Sequence, residues 1–285
     1  MKAYRKKRIK EKYTKDLIGM QILATVLAIL FAFPILMIIN FSFKTKAELY
    51  MDPPLSLPSA FRIDNFINAI EKLHLNTAFF NSFFYTIISV GIMALICTIT
   101  AWAIARGKNK FFRFSLVYFI IGILVPAQAL MLPIYQIWNY FGMINTRVGL
   151  ILLYIATGMS FGIFLQTNFM STVPVELEEA ARIDGCNVYQ TFFKVVLPLV
   201  RSSMATMIII QTFNIWNEFM LTNLMVSREN LRTVTLALKL LFSDFAKDYA
   251  TAMAGIILSS IPIVILFICL QKQFIKGMTV GAVKG

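Results

Sequence analysis

Glu176-Leu-Glu-Glu-Ala-Ala-Arg-Ile-Asp-Gly185 is a charged stretch, punctuated by alanine and glycine, between two long apolar runs. The rest of the chain favours lipid, so this segment faces water and divides the hydrophobic sequence. Its local reading is two short helices with a sharp corner. Thr172 caps the first and Pro174 enters its first turn. Glu176, Glu178 and Glu179 crowd the N-terminal end, where the helix dipole favours negative charge. Leu177, Ala180, Ala181 and Ile183 supply a small, apolar face. Gly185 falls where a left-handed C-terminal residue belongs. Asn187 caps the next helix with Gln190 three residues on. That helix, Tyr189–Leu197, carries Phe192, Phe193, Val195 and Val196, and Pro198 marks its exit. Small residues permit close approach of a partner backbone, and the carboxylates of Glu178, Glu179 and Asp184 suit arginine forks. The competing reading is a helical hairpin lying on the membrane, anchored by Phe192 and Phe193.

Composition sets the surroundings of this segment. Hydrophobic residues make up 58% of the 285, with 26 Phe and 15 Met, and only 14% are charged, against about 25% in soluble domains. That points to an all-α polytopic membrane protein. Six stretches have the length and apolarity of spanning helices: Leu17–Phe43, Phe79–Ala105, Phe112–Trp138, Gly149–Met170, Ser203–Val226 and Tyr249–Gln271. The first follows a basic N-terminus, residues 1–16, as a signal peptide would. It is too long for a signal core and lacks a small-residue cleavage pattern, so it is expected to be retained. Pro34, Pro126, Pro133 and Pro262 interrupt the spans, and Pro126 with Pro133 suggests a bent third span.

Alternate loops fix the sidedness. The N-terminus, the turn around Arg106–Arg113, the polar segment and the C-terminal end hold 18 of the 27 Lys and Arg. The positive-inside rule puts both termini and the segment 172–200 in the cytoplasm of a plasma membrane. The net charge of +13 is explained by these loops, and no basic stripe with interleaved aromatics indicates nucleic acid. The external loop 44–78 carries Asp52-Pro-Pro-Leu-Ser-Leu-Pro58, which excludes regular helix. A short amphipathic helix is expected over Asp64–Leu75. Cys97, Cys186 and Cys269 form no CxxC and no metal spacing, and His74 stands alone.

Within the fifth stretch lie Gln211, Asn214, Trp216, Asn217 and Glu218. Polar groups inside a span are costly and often functional. Gln211, Asn214 and Glu218 share one helical face by their i,i+3 and i,i+4 spacing. They are candidates for sugar hydroxyls, with Trp216 as a stacking ring. The same residue types also serve as hydrogen bonds between helices.

The pattern Pro174-x-Glu-Leu-x-Glu-Ala-Ala-x-Ile-Asp-Gly185, followed by Phe192 or Phe193 and Leu197-Pro-Leu199, resembles the EAA loop of ABC importer permeases. Ile183-Asp-Gly185 with Trp216-Asn-x-Phe219 is similar to the maltose-type, carbohydrate-importing branch, as is the end Gly277-Met-Thr-x-Gly281-Ala-Val-Lys-Gly285. Cys186 stands where the family commonly has alanine, and Ser202-Ser203 replaces a proline-bearing pattern.

The resemblance implies a transport subunit, not an enzyme, in a prokaryotic plasma membrane. It would comprise a six-span permease domain over 17–275 with a cytoplasmic tail over 276–285. Its implied partners are a second six-span permease, two ATP-binding subunits, an extracellular solute-binding protein and membrane lipid. ATP and Mg would be bound by the ATPases, with no cofactor in this chain. Glu176, Leu177, Glu178, Glu179, Ala180, Ala181, Ile183, Asp184 and Gly185 would form the ATPase-coupling helix. Gly281, Lys284 and Gly285 would form the tail that reaches between the ATPases. A sugar, a polyol or a glycerol-phosphate-type solute would be the cargo. No GxxxxGK[ST] phosphate loop is present. A self-sufficient channel or secondary transporter is the alternative of a different class, and no inverted repeat supports it.

Overall fold

In lipid every backbone N–H and C=O must find an internal partner, so long apolar runs fold as helices. The computed structural model describes residues 2–243 and 248–282, with side chains over 17–241 and 248–271, and no strand occurs among the described residues. Helix α1 (Lys2–Ser42) leads to two short helices, α2 (Lys46–Met51) and α3 (Asp64–Lys72). Then come α4 (Leu75–Arg106), α5 (Lys110–Leu124), α6 (Ala127–Tyr140), α7 (Arg147–Met170) and the polar α8 (Glu176–Ile183). They are followed by α9 (Val188–Leu199), α10 (Arg201–Trp216), α11 (Met220–Met225) and α12 (Tyr249–Ala282).

Four continuous helical stretches, Leu17–Ser42, α4, α7 and Tyr249–Gln271, are long and apolar enough to cross a membrane. Counting each of two bent helix pairs as one span brings the number up to six, by length and composition. The basic N-terminus and the first span form one helix of 41 residues, about 60 Å at 1.5 Å per residue and twice the hydrocarbon thickness. The last helix likewise continues to Ala282. Gly281 therefore lies in a helix, while Lys284 and Gly285 fall outside the described residues.

The third span bends as expected, and the fifth differs from expectation. The third is broken, with α5 and α6 meeting at 104°. Val125 is extended (ψ 120°) and Pro126 starts the next helix, because proline drives its predecessor out of the helical region and brings no N–H. Pro133 stays inside α6. The fifth, expected over Ser203–Val226, ends at Trp216 and restarts at Met220. On its other side, α10 bends by 74° against α9. Before Pro198, residues Phe192–Val196 widen into a π turn in which the Leu197 N–H reaches the Phe192 carbonyl. That wider turn suits a proline whose ring would strike the carbonyl four residues back.

The chain forms two compact units. The first comprises residues up to Lys72 with Leu241–Leu258. Within it, Phe43 packs on Phe61 and Phe66 at 5.3 and 5.1 Å. Asp248 receives Lys46 and Lys72 at 3.3 and 3.4 Å. Helix α3 ends at Lys72, within the amphipathic stretch expected over Asp64–Leu75. The second unit runs over Leu73–Leu240 and from Ser259 onward. Its core joins α4, α7 and α10 through Met93, Cys97, Ile163 and Met207, none of which has any solvent exposure.

Gly158 and Gly162, one turn apart on α7, allow this close approach. A Cβ on Gly162 would lie 2.8 Å from Cys97 Sγ and 3.0 Å from Met207 Sδ. Small residues at this spacing let membrane helices pack backbone to side chain. Gly162→Val is expected to destabilise the unit by about 1–3 kcal/mol through overpacking. Gly162→Ala should cost less, since the Met207 chain end can move. Thermal unfolding in detergent measures the difference, and equal midpoints for Val, Ala and glycine would refute the packing account.

Candidate functional site

Helix α8 begins after Val175, whose side chain provides no cap. Thr172 therefore does not cap it as expected: its Oγ1 donates to the Phe169 carbonyl and closes the end of α7. Pro174 lies two residues on, and the new helix starts at Glu176, two residues beyond the proline. The acidic first turn, Glu176, Glu178 and Glu179, compensates for the missing cap through the dipole. At the other end Gly185 adopts φ +85°. Its N–H bonds the Arg182 carbonyl at 3.1 Å, and the Cys186 N–H bonds the Ala181 carbonyl at 2.9 Å, which is a Schellman closure. Asn187 and Gln190 then form the expected capping box for α9.

The helix has two faces. Glu178 and Ala181, three residues apart, point into the protein. Glu178 is 2% exposed, and it is held on both oxygens. Arg106, the last residue of α4, places Nε and Nη2 each 2.8 Å from Oε1. Trp102, one turn earlier, donates Nε1–H to Oε2 at 2.9 Å. The Arg106 Nη2 also donates to the Val173 carbonyl at 2.9 Å. A buried carboxylate is tolerable only when so fully paired. The Trp102 ring lies 5.3 Å from Phe192, and Phe192, Met170, Val196 and Val200 form an apolar cluster beneath the joint.

Glu178 is thus committed inside the chain and is not free for a partner's arginine, as its place among the exposed carboxylates had suggested. Sequence reasoning missed Arg106 and Trp102. Their signal was the i,i+4 pairing of an indole and a guanidinium at the very end of an apolar helix, where a cation also satisfies the dipole. Phe192 is buried while Phe193 is half exposed, so the pair is not a free membrane anchor.

The opposite face of α8 is open. Glu176, Glu179, Ala180, Asp184 and Gly185 are exposed, with Val175 at 43%, Leu177 at 44% and Ile183 at 86%. Apolar side chains so exposed on a helix this short are unusual beside carboxylates, and they make a surface that can be covered. Chemically, the arrangement presents acceptors and small apolar contacts outward from an element fastened inward by an ion pair.

The polar set of the fifth stretch converges only in part: Asn214 Nδ2 donates to Gln211 Oε1 at 3.5 Å, and the other members go separate ways. Gln211 is buried and donates to the Gly158 carbonyl at 2.9 Å. Trp216 is 5% exposed and packs on Phe83 at 5.0 Å. Glu218 lies past the end of α10 and accepts the Leu221 and Thr222 N–H groups, each at 2.8 Å. It thereby starts α11, which explains why the expected continuous helix breaks here. Only Asn214 and Asn217 are exposed. A separate cleft of about 510 Å³ opens where the third span bends, lined by Pro126, Ile134, Trp138, Thr157, Ser160 and neighbouring residues.

Residues 98–280 match the family described as binding-protein-dependent transport system inner membrane component. Among curated proteins, the chain is 33% identical over 262 residues to a probable starch degradation products transport system permease protein of Thermoanaerobacterium thermosulfurigenes. That match covers 92% of this chain and 95% of the relative. It is 34% identical over 266 residues to an arabinooligosaccharides transport system permease protein of Halalkalibacterium halodurans, covering 91% and 93%. Among solved structures it is similar to a chain of a bacterial ABC transporter involved in the import of the acidic polysaccharide alginate. There the TM-score is 0.81 at 23% identity, over 90% of this chain and 95% of that one.

Proposed function

Since the chain belongs to the binding-protein-dependent transport system inner membrane components, we propose that it is a permease subunit of an ABC importer for sugars or oligosaccharides. The relatives that transport starch degradation products and arabinooligosaccharides support the cargo class. The single observation that carries the mechanical reading is the two-faced helix α8. Its inner face is bolted to the end of a spanning helix through Glu178 and Arg106, and its outer face is bare. In this reading the outer face seats in a cytoplasmic ATPase, both termini lie in the cytoplasm, and a second permease completes the path. An external binding protein delivers the cargo. ATP and Mg belong to the ATPases, and no step of ATP hydrolysis is assigned to this chain.

Closure of the ATPases then moves α8, and the ion pair passes that displacement to α4. Glu179 accepts from the ATPase, while Leu177, Ala180 and Ile183 fill its cleft. Of the candidate polar set of the fifth stretch, Asn214 and Asn217 are exposed and are assigned to the permease interface or the cargo path. Glu179→Arg in the reconstituted transporter tests the reading. Losing a charge-assisted hydrogen bond and gaining a like-charge clash is worth about 1.5–3 kcal/mol, so uptake should fall about tenfold or more. Uptake of labelled oligosaccharide and ATP hydrolysis that both match the wild type would sink it.

A further inference from the structure

Lys44 lies two residues past the first span and is only 1% exposed. Its Nζ donates to Ser56 Oγ at 2.9 Å and lies 5.6 Å from the centre of the Phe41 ring. Among the described residues no carboxylate comes within 4.0 Å of it. An ammonium carries three N–H donors, and a buried charge without a counter-charge is strongly disfavoured.

Of the acids nearby among the described residues, Glu48 and Asp248 are committed elsewhere, and Asp52 makes no ion pair within 4.0 Å. Glu48 accepts from the Ser59 hydroxyl and N–H and from the Thr45 hydroxyl and N–H. These bonds, the Ser59 hydroxyl first, hold its carboxyl down at about 2. Asp248 takes Lys46 and Lys72. A lysine at a span boundary ordinarily extends its head to water. This one sits in a braced frame instead. Asn65 donates to the Ser42 and Lys44 carbonyls at 2.8 and 2.9 Å, and Asn40 to the Ser56 carbonyl at 3.0 Å.

Beside it lies a pocket of about 220 Å³, lined by Lys44, Phe41, Leu49, Tyr50, Tyr249 and Met253, with Asp52 also in its wall. At about 30 Å³ per water this space holds roughly seven waters, the size of a head group. Tyr50 and Tyr249 touch edge to face at 6.4 Å, in the manner of rings that mark the membrane–water level. Asp52 is exposed, so it suits a ligand with hydroxyls beside its negative charge.

We propose that Lys44 and this pocket bind a phosphate or phosphodiester group that carries hydroxyls, with Lys44 as its charge partner. The position at the end of a span favours a glycerol-bearing anionic lipid head group over soluble glycerol phosphate. The inference does not depend on the transport reading.

The test uses the assembled protein in nanodiscs of phosphatidylcholine, with and without phosphatidylglycerol. Phosphatidylglycerol should raise the wild-type unfolding midpoint by several degrees and leave one bound lipid in native mass spectra. Lys44→Arg should keep both effects and Lys44→Met lose both. In phosphatidylcholine alone Lys44→Met should be at least as stable as wild type, because an uncompensated charge is gone. A soluble arm adds glycerol 3-phosphate to phosphatidylcholine discs. A Lys44-dependent shift there, without one from phosphatidylglycerol, assigns the soluble source. Absence of a Lys44-dependent shift in either arm overturns the site, as does a Lys44→Met protein that fails to fold in phosphatidylcholine.

Discussion

Arg106→Glu is expected to abolish oligosaccharide uptake while hydrolysis of ATP by the partner subunits persists. The substitution opposes two carboxylates at a site where Glu178 is 2% exposed, and breaking a buried pair by altering one partner costs about 3–5 kcal/mol. It also withdraws the donor that bonds the Val173 carbonyl, freeing the turn that enters α8. A graded series separates charge from packing. Glu178→Gln keeps acceptors and shape, so it should retain much of the activity. Arg106→Ala should lose most of it. The reversed pair, Arg106→Glu with Glu178→Arg, should recover only part, because the Trp102 Nε1–H that now meets Glu178 Oε2 would face a guanidinium. Rates of uptake and hydrolysis measured on the same vesicles decide the matter. If Arg106→Ala leaves the ratio of transport to hydrolysis at the wild-type value, the joint is not part of the transmission.

The corner that ends α8 was legible in the sequence and the joint that fastens it inward was not. Gly185 is readable because a glycine after Arg182-Ile-Asp184 has few other uses, and the Asn187–Gln190 capping box is a local signal of four residues. Span positions follow from length and apolarity, which are sums over many residues and survive local error. The joint, by contrast, depends on Arg106 and Glu178 meeting across 72 positions, and no local pattern encodes such a meeting. Thr172 misled for a related reason: a threonine before Pro174 suits a cap, yet its hydroxyl found the closer Phe169 carbonyl. The polar set of the fifth stretch misled because equal helical spacing was assumed through Asn217–Phe219. Glu218 itself ends that spacing by capping α11. Polar residues in a span carry the same letters whether they meet a ligand, start a helix or, like Gln211, bond a neighbouring carbonyl.

On the proposed docking of α8, Gly185→Pro should release the chain from the partner ATPases without unfolding the membrane spans. At φ +85° the corner lies far from the value near −65° that a proline ring imposes, and the substitution removes the N–H now bonded to the Arg182 carbonyl. The Schellman closure fails, Ile183 and Asp184 lose their placement, and the outer face of α8 no longer matches the cleft proposed for it. What makes the position informative is the space around it: a Cβ there would meet nothing within 4 Å. Steric clash with the rest of the chain therefore drops out, so Asn and Ala report the backbone angle, and Pro adds to it the loss of the N–H bond. Asn, which tolerates the left-handed region, should behave nearly as glycine. Ala should lose about 1–2 kcal/mol of corner stability, the left-handed penalty for an ordinary residue. Pro should show no ATPase in pull-downs of the assembled complex while its unfolding midpoint in detergent stays close to the wild type. The order Gly, Asn, Ala, Pro in ATPase retention is what a conformational corner requires. An order that follows side-chain size or polarity instead would mean that Gly185 touches the partner directly, and the corner would have to be reassigned as a contact.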